Sequence, residues 1–517
     1  MNEELGGSSR LRPWALVGGP ALAGLIELTN PGGFSGPPLH TLAIAAWVAC
    51  WWVFEALPIA ATSLLPLVLL PLFGLKSPAE VARLYMEDLL ILLLGGFLLA
   101  LALERWGLHK RLAIFVLGRL GGAPRRLVLG FALASALISM WISNSGTTLV
   151  LLPIALAVGR RIEHDLPPGA KQRVDQAILL AVAFGSTAGG LGTYVGTPPN
   201  LIFRERYEAD FHVGMAGGAP SISFLQWMVA FAPLALLLAA LMGWILGRGL
   251  PRLDGRATRD AVRREAAALP RWCLGEALVA LLFLAAALLW ITRDRAEFGT
   301  HIFRGWAEPL FGSKNAVTDA TVAMVLTLAC FVIRVKPGPG MKAPPPGESR
   351  VPLLDWNEAE SKMPWGILLL FGAGFALGDA FKSSGLSQAL GESLALHLHG
   401  WPAPAIVLAI CLFVTLVSEF MNNTACAQIL LPILSAVSPA LGLAPAALLL
   451  PATLAASCGF MMPAGTAPNA IVFATRRIRI GPMVRVGLLL DLLCAVVITA
   501  WMFLVALPLL GIAAHGK

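Results

Sequence analysis

Two short stretches hold most of the residues that can do chemistry. "ISNSGTTLVLLPI" (Ile142–Ile154) and "MNNTACAQILLPI" (Met421–Ile433) each place Ser, Asn and Thr beside an otherwise apolar run. A second pair, "GTPPN" (Gly196–Asn200) and "GTAPN" (Gly465–Asn469), interrupts two further apolar segments. Pro198, Pro199 and Pro468 forbid regular helical hydrogen bonding at those points. An interrupted helix exposes N–H groups and a positive dipole end, which favour an anion, and free carbonyl oxygens, which suit a small cation. Ser, Thr and Asn side chains add hydroxyl and amide donors and amide oxygens. No Lys or Arg lies within the four motifs, so an anion bound there needs cations beside it to neutralise its charge. The implied chemistry is joint binding of an anion and cations. Asn144 and Asn423 also suit simple helix caps, and one amide can serve both purposes.

The elements that must carry these motifs are membrane helices. The chain of 517 residues is 57% hydrophobic and only 13% charged, against about 25% charged in an ordinary soluble protein. Apolar runs long enough to cross a hydrocarbon core of ~30 Å recur throughout. They do not alternate as barrel strands do, which excludes an outer-membrane barrel. The net charge of +8 sets orientation in such a chain and does not point to nucleic acid. The seven cysteines mostly lie in apolar segments without CxxC spacing and read as small core residues. The N-terminus begins acidic with no small-residue cleavage site after it, so no signal peptide is expected.

Full crossings are expected near 14–30, 39–57, 60–75, 87–104, 174–203, 223–247, 274–292, 316–334, 364–379, 444–475 and 483–512. Segments 127–159 and 403–438 are apolar but carry a polar knot at mid-length. Each arm, at about 15 residues or ~22 Å of helix, is short for a span. "PRR" (Pro124–Arg126) and "GRR" (Gly159–Arg161) flank the first, which places both its ends on the positive side. Both segments therefore read as re-entrant hairpins, tolerated where the tip is buried in protein or lines an aqueous cavity. With the N-terminus inside, the inner loops hold 28 of the 38 Lys and Arg and the outer side holds the other 10, with the C-terminus outside. That distribution suits a multi-pass protein of the cell inner membrane.

The two halves repeat in order. "LLLGGFLLALALERWGL" (Leu92–Leu108) matches "LLLFGAGFALGDAFKSSGL" (Leu368–Leu386), the two knots match, and "GTPPNLIF" matches "GTAPNAIVF". The first copy of the leading helix runs inward and the second outward, so the repeats are inverted. Inverted repeats with broken helices are the pattern of secondary transporters, whose site lies at the midplane.

Paired Ser-Asn-Thr-like tips, each followed by a GT-x-P-N break, resemble the divalent anion:sodium symporters, over about residues 40 to 510. The family includes sodium-dependent dicarboxylate, citrate and sulfate carriers and some dicarboxylate exchangers. The resemblance implies an all-α elevator-type homodimer in membrane lipid. Scaffold helices would occupy 1–86 and 221–335, transport repeats 87–220 and 363–482, a cytoplasmic linker 336–362, and a C-terminal helix 483–517. It further implies one sodium site at Ser139, Ser143, Asn144 and Gly196, and another at Ser418, Met421, Asn423 and Gly465. The substrate anion would meet Ser143, Asn144, Ser145, Asn422, Asn423, Thr424 and Thr466. The hydroxyls of Ser139 and Ser418 favour sodium coupling. Ser145 keeps a hydroxyl at the first tip, whereas Asn422 replaces one at the second and Ala467 stands where the family often has proline. C4-dicarboxylate is the first choice of substrate, ahead of citrate and sulfate.

Other polar residues have humbler expected roles. Glu104 and Arg105 read as interfacial anchors. Glu419 beside the second tip is expected to pair with Lys382, to couple protons, or to orient the hairpin. "VKPGPGMKAPPPGESR" (Val335–Arg350) reads as a flexible linker. The basic stretch 248–272 is either a surface-lying segment on anionic lipid or a solvated loop. A sodium-free exchanger is the alternative function. A membrane enzyme is less favoured because HExxH, GxSxG and His clusters are absent, and a channel because paired hairpins closing one site suit alternating access.

Overall fold

The computed structural model describes residues 13–120, 123–162, 166–167, 170–211, 218–251, 256–298, 301–313, 316–339, 341, 349–463 and 465–515. It is helical nearly throughout. Helices α1 (Pro13–Thr29) and α2 (Pro37–Phe54) pack on each other, and α3 (Ile59–Thr62), α4 (Leu65–Leu72) and α5 (Pro78–Leu84) follow. Helix α5 starts from a reciprocal cap between Ser77 and Glu80. Next come α6 (Asp88–Arg105), α7 (Leu108–Leu120), α8 (Pro124–Ser139), α9 (Asn144–Ile162), α10 (Ala170–Gly189) and α11 (Pro198–Asp210). A 3-10 turn over Gly190–Gly192 separates the last two.

Helices α12 (Phe224–Gly247), α13 (Arg256–Ala268) and α14 (Leu274–Arg293) lead to a small antiparallel pair, β1 (Ala296–Phe298) with β2 (His301–Phe303). After α15 (Ala307–Phe311) and α16 (Asp319–Val332), strands β3 (Arg334–Val335) and β4 (Val351–Pro352) tie together the ends of the Pro/Gly-rich segment. Residues 340 and 342–348 of that expected linker lie outside the described residues. The second half contains α17 (Trp356–Lys362), α18 (Trp365–Ser383), α19 (Leu386–Leu398), α20 (Ala403–Ser418), α21 (Asn423–Ala440), α22 (Pro445–Ala456), α23 (Ala467–Ala474), α24 (Ile480–Trp501) and α25 (Leu507–Leu509).

Among the described residues, eight helical runs are long and apolar enough to cross a membrane. Seven coincide with expected crossings, and four shorter apolar helices lie within the remaining expected segments. The eighth is α21, the second arm of the second hairpin. The arms before the tips, α8 and α20, have 16 residues each, close to the expected length, whereas the arms after them are longer. The arms after the tips, α9 and α21, have 19 and 18 residues, because the polar residues from Asn144 and Asn423 onward wind into the helix instead of standing outside it. The breaks also differ from simple proline kinks. Pro198 and Pro468 sit in the first turn of α11 and α23, where a missing N–H costs nothing, and the irregular backbone lies before them.

Close packing here depends on small residues. A methyl group on Gly185 or Gly189 of α10 would run into the backbone of Ala132 and Ala136 on α8. Side chains spaced four apart and no larger than a methyl let the two helices approach. The outward faces of α14 and α16 show Leu281, Leu284, Leu288, Val325 and Leu328 exposed, as a lipid-facing surface requires. The repeats interlock. Helix α11 of the first repeat packs on α21 and α22 of the second, while α23 packs on α9 and α10 of the first.

Candidate functional site

In the first repeat, the tip between α8 and α9 meets the break between α10 and α11. Ser139 Oγ donates to Asn144 Oδ1 at 2.7 Å. Gly196, buried in the break, approaches the Gly190 carbonyl, and a methyl group on Gly190 would lie 2.6 Å from Asn144 Oδ1. Ser143 Oγ accepts from Gly146 N at 3.2 Å, a local cap on the first turn of α9. The hydroxyl of Thr193 donates to the Met140 carbonyl, fastening break to tip. Trp227 of α12 donates from Nε1 to the Leu191 carbonyl at 3.1 Å.

The second repeat follows the same layout without the tip hydrogen bond of Ser139 to Asn144: Ser418 Oγ donates to the Thr415 carbonyl at 2.8 Å. Ser418 lies against Gly459, and Gly465 lies against Glu419 and the Met462 carbonyl. Asn422 caps α21 through its side-chain oxygen, which accepts from Thr424 N at 2.8 Å. Thr466 caps α23 through its hydroxyl, which accepts from Asn469 N at 3.3 Å. Met421 and Thr424 are buried, whereas Asn422 is exposed at the tip and Ser145 is half-buried at the other. The structure thus assembles Ser139, Ser143, Asn144 and Gly196 into one cluster, and Ser418, Met421, Asn423 and Gly465 line the matching tip and break. Phe184 of α10 packs edge-on against Phe460 of the second break, ring centroids 5.1 Å apart, where the two halves meet.

Asn200 and Asn469 close the two GT-x-P-N motifs, and their task is visible only in the folded chain. Each holds its break together. Asn200 Nδ2 donates to the Gly190 and Thr193 carbonyls at 2.9 and 2.7 Å, and Asn469 Nδ2 donates to those of Gly459 and Met462 at 3.0 and 3.1 Å. The offsets, ten and seven residues back, are the same in both repeats. With Nδ2 so used, the Oδ1 atoms of Asn200 and Asn469 are buried and accept from no donor among the described residues, as is Asn423 Oδ1. A buried amide oxygen without a donor is costly in apolar surroundings and is satisfied by a cation.

Glu419 does not make the expected pair with Lys382. Lys382 instead pairs with Asp210 at 3.1 Å and donates to the Ala209 carbonyl. Glu419 Oε1 and Oε2 accept from Met461 N and Met462 N, both at 2.7 Å, so the carboxylate orients the hairpin against the break. Arg105 pairs with Glu358 of α17. Helix α13, from the basic stretch, packs on α7 and α9. A cavity of about 950 Å³ opens away from the tips, where Arg204, Glu208, Gln226, Arg293 and Thr318 converge.

Two interlocked repeats of broken helices in an apolar, all-α chain define the class: a secondary membrane transporter, not an enzyme. The chain belongs to the family described as the sodium:sulfate symporter transmembrane region, which matches residues 20–509. It is 38% identical over 506 residues to the sodium-dependent dicarboxylate transporter SdcS of Staphylococcus saprophyticus, covering 96% of this chain and 92% of that protein. The SdcS transporter of Staphylococcus aureus strain RF122 is 36% identical over 509 residues, with the same coverage. Among solved structures, the YdaH transporter of Alcanivorax borkumensis superposes with a TM-score of 0.53 at 17% identity, over 81% of this chain and 85% of that one. MtrF of Neisseria gonorrhoeae superposes with a TM-score of 0.52 at 14% identity, over 83% and 84%. At those identities the likeness is one of fold.

Proposed function

We propose that this protein is a sodium-coupled symporter of divalent organic anions, with C4-dicarboxylates such as succinate as its substrates. The observation that carries this reading is the pair of matched half-sites, in which Asn200, Asn469 and Asn423 each keep a buried side-chain oxygen without a donor. These oxygens, with the hydroxyls of Ser139 and Ser418 and the carbonyls of the breaks, suit two sodium ions. The tip residues Ser143, Asn144, Ser145, Asn422, Asn423 and Thr424, with Thr466, supply neutral donors to the substrate carboxylates. The names of the two staphylococcal relatives support both sodium and dicarboxylate.

Coupling follows from electrostatics. A dianion entering a region without Lys or Arg in the binding motifs is poorly neutralised unless the sodium ions arrive with it. Segments 87–220 and 363–482 form the moving transport domain of an elevator, with re-entrant hairpins entering from opposite sides. Residues 1–86 and 221–335 form the scaffold of a homodimer, with the N-terminus cytoplasmic. Uptake of labelled succinate into proteoliposomes tests the function in three arms: an inward sodium gradient, choline in place of sodium, and internal succinate without sodium. Uptake in the first arm alone is expected. Uptake driven by internal succinate without sodium would make the protein an exchanger.

A further inference from the structure

The two breaks satisfy their backbone in different ways. In the first, Gly190–Gly192 wind a 3-10 turn, and the side chain of Met140 lies beneath Gly192. In the second, no such turn forms among the described residues, and carboxyl oxygens take the place of backbone acceptors. Phe460 N donates to Asp491 Oδ1 at 3.1 Å, and the next two amides, of Met461 and Met462, donate to the two oxygens of Glu419. Met140 and Glu419 hold the same place in their repeats, each directly after the hydroxyl residue of its half-site, Ser139 or Ser418.

Glu419 and Asp491 are 1% and 6% exposed, and they accept from three consecutive backbone amides of the second break. Both oxygens of Glu419 accept backbone donors, which is the arrangement of an ionised carboxylate. Among the described residues no Lys or Arg pairs with either group. A buried, uncompensated negative charge is costly and persists where a cation is bound nearby. The charge sits at the proposed second cation site: a methyl group on Gly465 would lie 2.9 Å from Glu419 Oε2 and 3.4 Å from the Met462 carbonyl.

We propose that Glu419, backed by Asp491, is a positioning residue for the second cation half-site. It clamps the Met461 and Met462 amides so that the break carbonyls face the ion, and it supplies a negative charge that the first half-site lacks. The two cation sites are therefore unequal. The second binds sodium before substrate arrives, whereas the first relies on the substrate's own charge. This rests on the sodium-coupled reading above.

The test titrates sodium against purified protein without dicarboxylate, reading the melting temperature with choline holding ionic strength constant. Sodium-driven succinate uptake is measured in parallel. Glu419→Gln sets an amide donor against a backbone donor, and Glu419→Met installs the first repeat's residue. Each is expected to raise the half-saturating sodium concentration about tenfold or more, while KM for succinate at saturating sodium changes by less than about threefold. Asp491→Asn keeps an acceptor for Phe460 N, so its shift is smaller. An unchanged sodium titration in both Glu419 variants would overturn the proposal, as would parallel rises in the sodium and succinate constants, the mark of general structural damage. Failure of Glu419→Asp to recover part of the sodium affinity lost in Glu419→Gln would also overturn it. A wild-type protein with no sodium-dependent melting shift would overturn the sodium reading itself.

Discussion

Asn200 and Asn469, 269 positions apart in the sequence, make the same pair of hydrogen bonds: each amide group reaches the carbonyls ten and seven residues before it. Replacing either with Leu leaves two carbonyls without their donor, at a cost of about 2 kcal/mol. Thermal melting in detergent checks this. Asn200→Leu and Asn469→Leu are expected to lower the melting temperature by comparable amounts. A loss in one and none in the other would deny that the two breaks are equivalent supports.

The contact between α8 and α10 predicts intolerance at two glycines. Gly189→Ala places a methyl group into the Ala136 backbone, and Gly185→Ala does the same at Ala132. Overpacking of this kind costs about 1–3 kcal/mol. Because α10 leads directly into the first break, uptake is expected to fall with the melting temperature. Gly118→Ala, at a position with open space around it, is the control.

Asp319 joins α16 to two other helices. Its oxygens accept from Arg293 of α14 at 2.6 Å and Arg204 of α11 at 2.7 Å, and it is 2% exposed. Removing the shared carboxylate in Asp319→Ala leaves two guanidinium groups short of compensation, a loss of about 3 kcal/mol. A melting curve with no shift would show that the neighbouring acids Glu208 and Asp294 carry the charge alone.

Asn422 bears on substrate choice. It caps α21 through its oxygen and leaves its NH2 at the exposed tip. Serine caps about as well, so Asn422→Ser is expected to change stability by less than about 0.5 kcal/mol. The relative uptake of succinate, citrate and sulfate is expected to change, because an amide donor has been exchanged for a shorter hydroxyl. Competition assays check this, and an unchanged preference would remove Asn422 from the substrate contacts.

Much of this organisation was legible because it rests on local chemistry. Polar residues inside apolar runs marked both tips, and prolines after Gly-Thr marked both breaks. Helix lengths were less legible, since Asn144 and Asn423 serve equally as tip residues and as the first turn of a helix. Long-range pairings were not legible at all. Nothing near Glu419 in sequence points to Asp491 on α24, and the nearest plausible cation, Lys382, is taken by Asp210. The task of Asn200 and Asn469 was written in the motif, but that each closes its break became apparent only from the folded carbonyl positions.

The central claim is that two matched half-sites form one binding site. Sodium-driven uptake of labelled succinate by wild type, Asn144→Ala, Asn423→Ala and the double variant tests it most directly, with each shown to fold by its melting curve. Each single substitution is predicted to reduce uptake about tenfold or more, and the double variant to be little worse than the poorer single one, because both residues serve the same event. Transport at the wild-type rate by either folded single variant would contradict the claim.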